Sequence, residues 1–380
     1  MKKVIYLSDF SLPNKSAYAV HVIKMCEAFA SNGLSTQLIV NNINTNFHSI
    51  KKNYNINYNF TILGLQKFKK NNTFIRIINA IKILNIVKKK KPNLIISRNI
   101  IASLILALFN IKNMLEIHTE INGFTKIIFF FTYKIINKNN LKFIFIHKKL
   151  NDYFALKKRH YIILDDAVKI EDFSKTIKNI KRNKRKKFVY TGSFVDGKGV
   201  KIIIQLAKIF KNHDFILYGN IDTMNDDNLT KCRLAENISL NEYTNYNKIL
   251  SILLNADYLL MPYERKIGVL IPNLDVSKYI SPLKMFEYLA AKKIIFATKQ
   301  PSYKHILKDN FNCIILQLND LQNWKKRISA VINYPLKYNN LKMNAFETAK
   351  KYTWKNRCLI IDNFFNKDEK KNFNYRYLWF

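Results

Sequence analysis

Pro262-Tyr263, then Ser281-Pro282-Leu283-Lys284-Met285-Phe286-Glu287-Tyr288-Leu289-Ala290-Ala291, running on into Ile294–Ala297, is the stretch of this 380-residue chain that decides its fold. Tyr258–Met261 reads as a strand ending at Pro262. Ser281 suits an N-cap and Pro282 the first helical position. The apolar periodicity then predicts a helix over Leu283–Ala291 and a second strand at Ile294–Ala297. A strand, a crossover helix and another strand form the unit of a parallel α/β sheet. The helix start offers unpaired N–H groups and a positive dipole end to a phosphate. Glu287, one and a half turns in, is placed to accept hydrogen bonds from a pair of sugar hydroxyls. Taken alone, the segment is also compatible with an ordinary capped helix bearing an exposed glutamate.

The same alternation extends both ways. Upstream, strands are expected at Val4–Leu7, Thr36–Val40, Leu94–Ser97, Met114–Ile117, Phe143–Ile146 and Tyr161–Leu164, with helices between them. A polar, basic stretch, residues 174–187, reads as an interdomain linker. The pattern restarts with a strand at Phe188–Thr191, a helix over Gly199–Phe210 and a strand at Phe215–Tyr218, and it closes with a strand at Cys313–Leu316. Two Rossmann-like halves follow, with ligand expected at the carboxyl ends of their strands. The expected division is 1–173, linker 174–187 and 188–355, with a C-terminal helix at about 356–380 packing back on the first half.

Composition narrows the class. Hydrophobic residues make up 48% and aromatics 13%, enough for substantial cores. The formal net charge is +38. It is spread along the chain: residues 1–180 hold 29 basic and 9 acidic side chains, a net +20. Such a field attracts nucleic acid, anionic lipid or phosphorylated substrates, although abundant Lys, Asn and Ile also suggest an AT-biased coding sequence. Cys26, Cys232, Cys313 and Cys358 form no C-x-x-C pair and read as reduced, buried thiols. The N-terminus meets polar residues too early for a signal peptide, and the apolar run Ile100–Phe109 is about half a membrane span. The expectation is a cytoplasmic chain, with a peripheral place on the inner face of the membrane left open.

Several residues carry candidate chemistry. Tyr190-Thr191-Gly192-Ser193 and Lys198-Gly199 form a glycine-bearing loop that opens a helix. Backbone amides there can approach a diphosphate, and Lys198 can neutralise charge on a leaving group. In so lysine-rich a chain, a surface lysine beside a turn is the competing reading. Lys284 is placed to reach the same diphosphate. Met114-Leu115-Glu116-Ile117-His118 ends a strand in a histidine at the cleft side, with a structural histidine as the alternative. Ser16 and Ala17, at the start of the first helix, are small enough to admit a phosphate or sugar, and they stand with Glu116 as weaker acceptor-side candidates. No Asp-x-Asp occurs and no His/Cys/Asp group has metal-ligand spacing along the chain, so no metal and no cofactor is expected.

These segments together resemble the retaining, nucleotide-sugar-dependent glycosyltransferases of family four. The Ser281–Ala291 stretch is similar to that family's "Ser-Pro-x-Lys-x-x-Glu-Tyr-x-Ala" segment. Gly192, Ser193, Lys198 and Gly199 resemble its donor loop, and Glu116-Ile117-His118 its "Glu-x-His" loop. Asp166-Ala167-Val168 and Tyr352-Thr353-Trp354 resemble the segments at its domain junction and C-terminus. The resemblance implies a GT-B fold, with two Rossmann-like domains facing a central cleft. It implies catalytic roles for His118, Lys198 and Glu287. It also implies donor binding by Gly192, Ser193, Lys198, Gly199, Ser281, Pro282, Leu283, Lys284 and Glu287. Three positions depart from the family pattern: Tyr279 replaces an earlier glutamate, Lys292 a glycine and Ser193 an arginine.

The function so implied is transfer of a sugar from a nucleoside diphosphate-sugar, acting as co-substrate, to a glycan or lipid-linked glycan acceptor. Bacterial cell-surface polysaccharide or lipopolysaccharide synthesis is the expected setting. An inactive scaffold of the same fold and a basic nucleic-acid-binding protein are the alternatives; no nucleic-acid motif accompanies the charge, so no nucleic-acid partner is expected. Two basic-aromatic segments, Lys67–Lys91 and Phe124–Ile136, fit either an anionic membrane surface or a packed core. In the second, Phe129-Phe130-Phe131 is the expected inserting group.

Overall fold

The computed structural model describes residues 1–65, 73–174, 184–271 and 274–366. Within the chain, two compact units separate, Met1–Asp166 with the segment from Trp354 onward, and Ala167–Thr353.

The first unit runs β1 (Lys3–Leu7), β2 (Ser11–Leu12), α1 (Ala17–Ser31), β3 (Ser35–Val40), β4 (Asn42–Ile43), α2 (Phe47–Tyr54) and β5 (Thr61–Gly64). It continues with α3 (Thr73–Lys90), β6 (Leu94–Ser97), α4 (Ile100–Leu108), β7 (Asn113–Ile117), α5 (Gly123–Ile135), β8 (Leu141–Phe145), α6 (Lys148–Phe154) and β9 (Tyr161–Ile163). Its seven-stranded sheet has the order β5-β3-β1-β6-β7-β8-β9, and every pairing is parallel. Strand order therefore reverses between β1 and β6. Burial on both faces explains why these strands read as continuous apolar runs rather than alternating ones. Ile83, Leu84 and Val87 of α3 and Ala102 and Leu106 of α4 close one face over Ile5, Leu7, Ile39 and Ile95.

The second unit repeats the plan with β10 (Lys187–Thr191), α7 (Val200–Ile209), β11 (Asp214–Gly219), α8 (Asp226–Leu234), β12 (Ile238–Glu242), α9 (Tyr246–Leu254) and β13 (Tyr258–Met261). Then come α10 (Leu283–Ala290), β14 (Ile294–Thr298), β15 (Ile314–Leu316), α11 (Leu321–Asn333) and α12 (Asn339–Lys351). The order β12-β11-β10-β13-β14-β15 is again parallel throughout and reverses between β10 and β13. Its core is aromatic at the centre, with Phe188 stacked on Phe215 at 4.9 Å. Helix α13 (Trp354–Asn366) then packs on α1 of the first unit.

The boundary lies earlier than the expected residue 173. Val168 bridges to Thr353 and donates its N–H to the Tyr352 carbonyl at 2.9 Å. The chain after Asp166 is thereby tied to the end of the second unit. Of the expected linker 174–187, residues 175–183 lie outside the described residues, and Lys187 already starts β10. The expected C-terminal helix is described to Asn366, and its remainder lies outside, as do residues 67–72 of the first basic segment. No described helix is long and apolar enough to cross a membrane. All four cysteines are free and buried.

Two local expectations are corrected. Pro282, not Ser281, is the N-cap of α10, and its own side chain makes no capping hydrogen bond. The Phe129-Phe130-Phe131 group does not stand together, because helical geometry splits it. Phe129 is fully buried against Phe143 and Phe154, and Phe130 is half-buried against Tyr153 and Phe154. Only Phe131 faces outward.

Candidate functional site

In the second unit, β10 and β13 end side by side, the position where open parallel sheets place ligands. β10 delivers Thr191-Gly192, and β13 delivers Pro262-Tyr263. The loop from β10 to α7 depends on glycine. Gly192 (φ +135°), Gly197 (+85°) and Gly199 (+83°) all hold positive-φ backbone. A Cβ on Gly199 would overlap the Pro262 carbonyl, and one on Gly192 would lie 2.5 Å from Lys284 Nζ. Glycine at 192 therefore leaves room for a lysine that arrives from a different element, the first turn of α10.

Two ammonium groups meet at this point. Lys284 Nζ lies 3.7 Å from the Tyr190 ring centroid and 5.3 Å from that of Tyr263. Lys198 Nζ lies 4.8 Å from the Tyr263 ring. Cation–π contact offsets part of the cost of desolvating them. Among the described residues, neither ammonium has a hydrogen-bond acceptor or a salt-bridge partner, and Lys284 Nζ is wholly enclosed. Burial pushes the Lys198 pKa down to about 8. Burial, with the Lys198 charge added, holds Lys284 well below the ordinary lysine value, against the opposing field of Glu287. Unpaired buried cations are costly. An arriving anion would remove that cost, so the pair forms an anion cradle. Tyr190 is fixed by donating its hydroxyl to the Ser193 carbonyl at 2.7 Å, and the Tyr288 hydroxyl accepts the Thr191 N–H at 2.9 Å.

Around this cradle the structure assembles most of the expected donor residues. Ser281 and Glu287 are buried, Leu283 opens α10, and Pro282 caps it. A polar cavity of about 300 Å³ opens beside the loop, lined by Gly197, Lys198, Gly199, Asn225 and Glu264 among others. Lys292 holds left-handed backbone (φ +54°) just past the end of α10, which accounts for the glycine usual in the resembled pattern. Its ammonium lies over the Phe346 ring at 3.9 Å.

In the first unit, β7 delivers Glu116 and His118. Glu116 is fully buried and its oxygens are occupied. Tyr6 donates to Oε2 at 2.6 Å, Arg357 Nη2 to Oε1 at 2.7 Å, and His118 Nε2 lies 2.9 Å from Oε1. Burial would raise the Glu116 pKa, but Arg357 and His21 hold it well below the carboxylate range. The expected acceptor-side Glu116 is therefore enclosed within the unit, where it holds the His118 ring. His21 sits between two carboxylates, with Nδ1 2.7 Å from Asp166 and Nε2 2.9 Å from Glu116. Its ring packs edge-on to His118 and to Trp354. Burial and the nearby Arg98 charge lower the His118 pKa to about 4, so this imidazole is neutral at pH 7. The carboxylate partner assigns the proton to Nε2 and leaves Nδ1 as an acceptor.

The cluster gathers potential metal ligands that have no such spacing along the chain. Ligand atoms of His21, Glu116 and His118 lie within 4.8 Å of one another. Arg357 supplies a cation to the shared Glu116 oxygen, at 2.7 Å.

Ser16 caps α1, accepting the Ala19 N–H at 3.2 Å, and Ala17 is the exposed first residue of that helix. Sequence reading missed what stands beside them. Arg98, directly after β6, stacks on the Tyr18 ring at 3.8 Å, and the Tyr18 hydroxyl donates to Asp9 at 2.8 Å. An arginine immediately following the strand at the order reversal was the available signal.

Residues 172–348 match the family described as Glycosyl transferases group 1. No curated protein matches the chain. Among solved structures, a glycosyltransferase from Rickettsia africae ESF-5 is similar over 97% of this chain and 100% of its own, at 13% identity and a TM-score of 0.70. Anabaena HepE, solved with UDP and glucose, is similar over 96% of this chain and 98% of its own, at 11% identity and a TM-score of 0.70. S. aureus TarM, as a variant solved with Fondaparinux, alpha-GlcNAc-glycerol and UDP, is similar over 97% and 100%, at 13% identity and a TM-score of 0.68. The fold is thus GT-B, two parallel-sheet α/β units of the glycosyltransferase kind.

Proposed function

We propose that the chain is a retaining glycosyltransferase that moves a hexosyl or related sugar from a nucleoside diphosphate-sugar to a glycan acceptor. The observation that carries this reading is the pair of unpaired ammonium groups, Lys198 and Lys284, on tyrosine rings at the mouth of the Gly192–Gly199 loop. A diphosphate is the anion best matched to two cations beside a glycine loop and two helix N-termini. As the glycosidic bond breaks, negative charge grows on the leaving diphosphate. Lys198, Lys284 and the α10 dipole would meet that charge, the role a metal plays in other transferases. Glu287 would accept hydrogen bonds from ribose hydroxyls. Neutral His118, with Nδ1 free to accept, would face the transferred sugar or the acceptor hydroxyl.

Similarity to proteins solved with UDP, and to WaaG, a glycosyltransferase involved in lipopolysaccharide biosynthesis, supports a nucleotide-sugar donor and a surface-glycan acceptor. The test is release of nucleoside diphosphate from a panel of UDP- and GDP-sugars by purified protein, with Lys198→Ala as control. Tight nucleotide binding without turnover on any acceptor would instead favour a non-catalytic scaffold.

A further inference from the structure

Helix α5 carries two apolar faces, and only one is used. Phe129 and Thr132 are buried in the unit, whereas Phe124, Ile127, Phe131 and Ile135 are 63–70% exposed. Steps of three, four and four residues put these side chains on a single face. Helix α3 shows the same pattern, with Phe74, Ile77, Ile78 and Ile81 exposed, Phe74 by 71%. The two helices lie on the same side of the sheet, each packed against α4, whose C-terminal end exposes Leu108 and Phe109. Soluble surfaces rarely expose so many large apolar side chains together without a partner.

Charge identifies that partner. Neither α3 nor α5 contains an Asp or Glu. Lys82, Lys126 and Lys134 are exposed on them, Lys88–Lys90 close α3, and Lys138 follows α5. An apolar ridge flanked by cations and free of acids matches an anionic bilayer, where the ridge enters the acyl boundary and the ammonium groups meet headgroups. A protein partner of ordinary surface composition would leave these lysines unmatched.

We infer that the outer face of α5, with α3 beside it, docks on anionic lipid and holds the first unit at a membrane surface. The inserting residues are Phe124, Ile127, Phe131 and Ile135, not Phe129 and Phe130, which belong to the core. This inference stands apart from the donor reading, since it needs no nucleotide.

The experiment is flotation of the full chain with vesicles of phosphatidylethanolamine and phosphatidylglycerol, and with vesicles of phosphatidylcholine alone. The wild type should float with the anionic vesicles and be lost from them at 0.5 M salt, about the range where charges more than a few ångströms apart are screened. Phe124→Ser/Phe131→Ser, both at exposed positions, should reduce partitioning at least about tenfold with unchanged near-ultraviolet circular dichroism and unchanged UDP binding. Phe74→Ser/Ile78→Ser gives an independent arm at the second helix. Equal flotation of wild type and both variants would overturn the inference. So would a wild type that ignores anionic vesicles, or one that is dimeric without lipid and becomes monomeric on the same substitutions.

Discussion

Protonation of Lys198 should govern donor binding between pH 7 and 9. In the unliganded protein burial lowers its pKa to about 8, whereas an unfolded lysine titrates near 10.4. A diphosphate needs the ammonium form. At pH 7 about nine in ten Lys198 side chains are charged, and at pH 9 about one in ten, from the same pKa. Affinity for UDP should therefore fall about tenfold across this interval, about 1.4 kcal/mol. The phosphate groups themselves are largely ionised by pH 7 and do not oppose the trend. Burial and the neighbouring Lys198 charge also lower the Lys284 pKa, and a bound anion would oppose that shift. The sign for stability is the reverse. A lysine pKa lowered by folding means that the unfolded chain binds more protons between about pH 8 and 10, so the unliganded unit gains stability as pH rises through that window. The assay is calorimetric titration with UDP at pH 7, 8 and 9, in two buffers of different ionisation enthalpy. Lys198→Gln should bind more weakly at pH 7 and lose most of the pH dependence. Constant wild-type affinity from pH 7 to 9, with no proton uptake, would refute the argument that these lysines are desolvated and receive the diphosphate.

Other consequences can be checked separately. Glu287→Ala should lower nucleotide affinity by about 1.5–3 kcal/mol through lost charge-assisted hydrogen bonds, read by the same titration. Gly199→Ala should destabilise the second unit by more than about 1 kcal/mol, seen as a lower denaturant midpoint, because φ +83° disfavours a side chain and its Cβ would meet the Pro262 carbonyl. Glu116→Gln should cost about 3–5 kcal/mol of stability by removing the carboxylate paired with buried Arg357, measured by chemical denaturation.

The fold was legible wherever a strand was buried on both faces. Leu94–Ser97 and Tyr258–Met261, both fully buried, have the same limits in the structure as in the sequence reading. The unread strands β5 and β12 are sheet edges of four and five residues, each only partly buried, so no apolar run marked them. The meeting of the Gly192–Gly199 loop with the first turn of α10 was legible because its residues fall in two short segments whose spacing carries the geometry. Lys284 beside Gly192 was foreshadowed by the shared diphosphate assignment, although its enclosure by Tyr190 and Tyr263 was not. The His21–Glu116–His118–Asp166–Arg357 network could not be read. Its members come from α1, β7, the end of the first unit and α13, and Arg357 lies 241 residues from the carboxylate it holds. Only folding brings them together. Ser281 misled for a local reason: Ser-Pro fits a helix start at either residue, and the backbone chose Pro282.

The central claim is that Lys198 and Lys284 receive the diphosphate of a nucleotide-sugar whose glycosidic bond this chain breaks. Its most direct test is the rate of nucleoside diphosphate release from UDP- and GDP-sugars by the wild type, Lys198→Ala and Lys284→Ala. The account predicts release from at least one donor, with each substitution lowering turnover by more than about tenfold, about 1.4 kcal/mol of transition-state stabilisation, and more than it weakens ground-state binding of the donor. Release that persists within about threefold in both variants would contradict it.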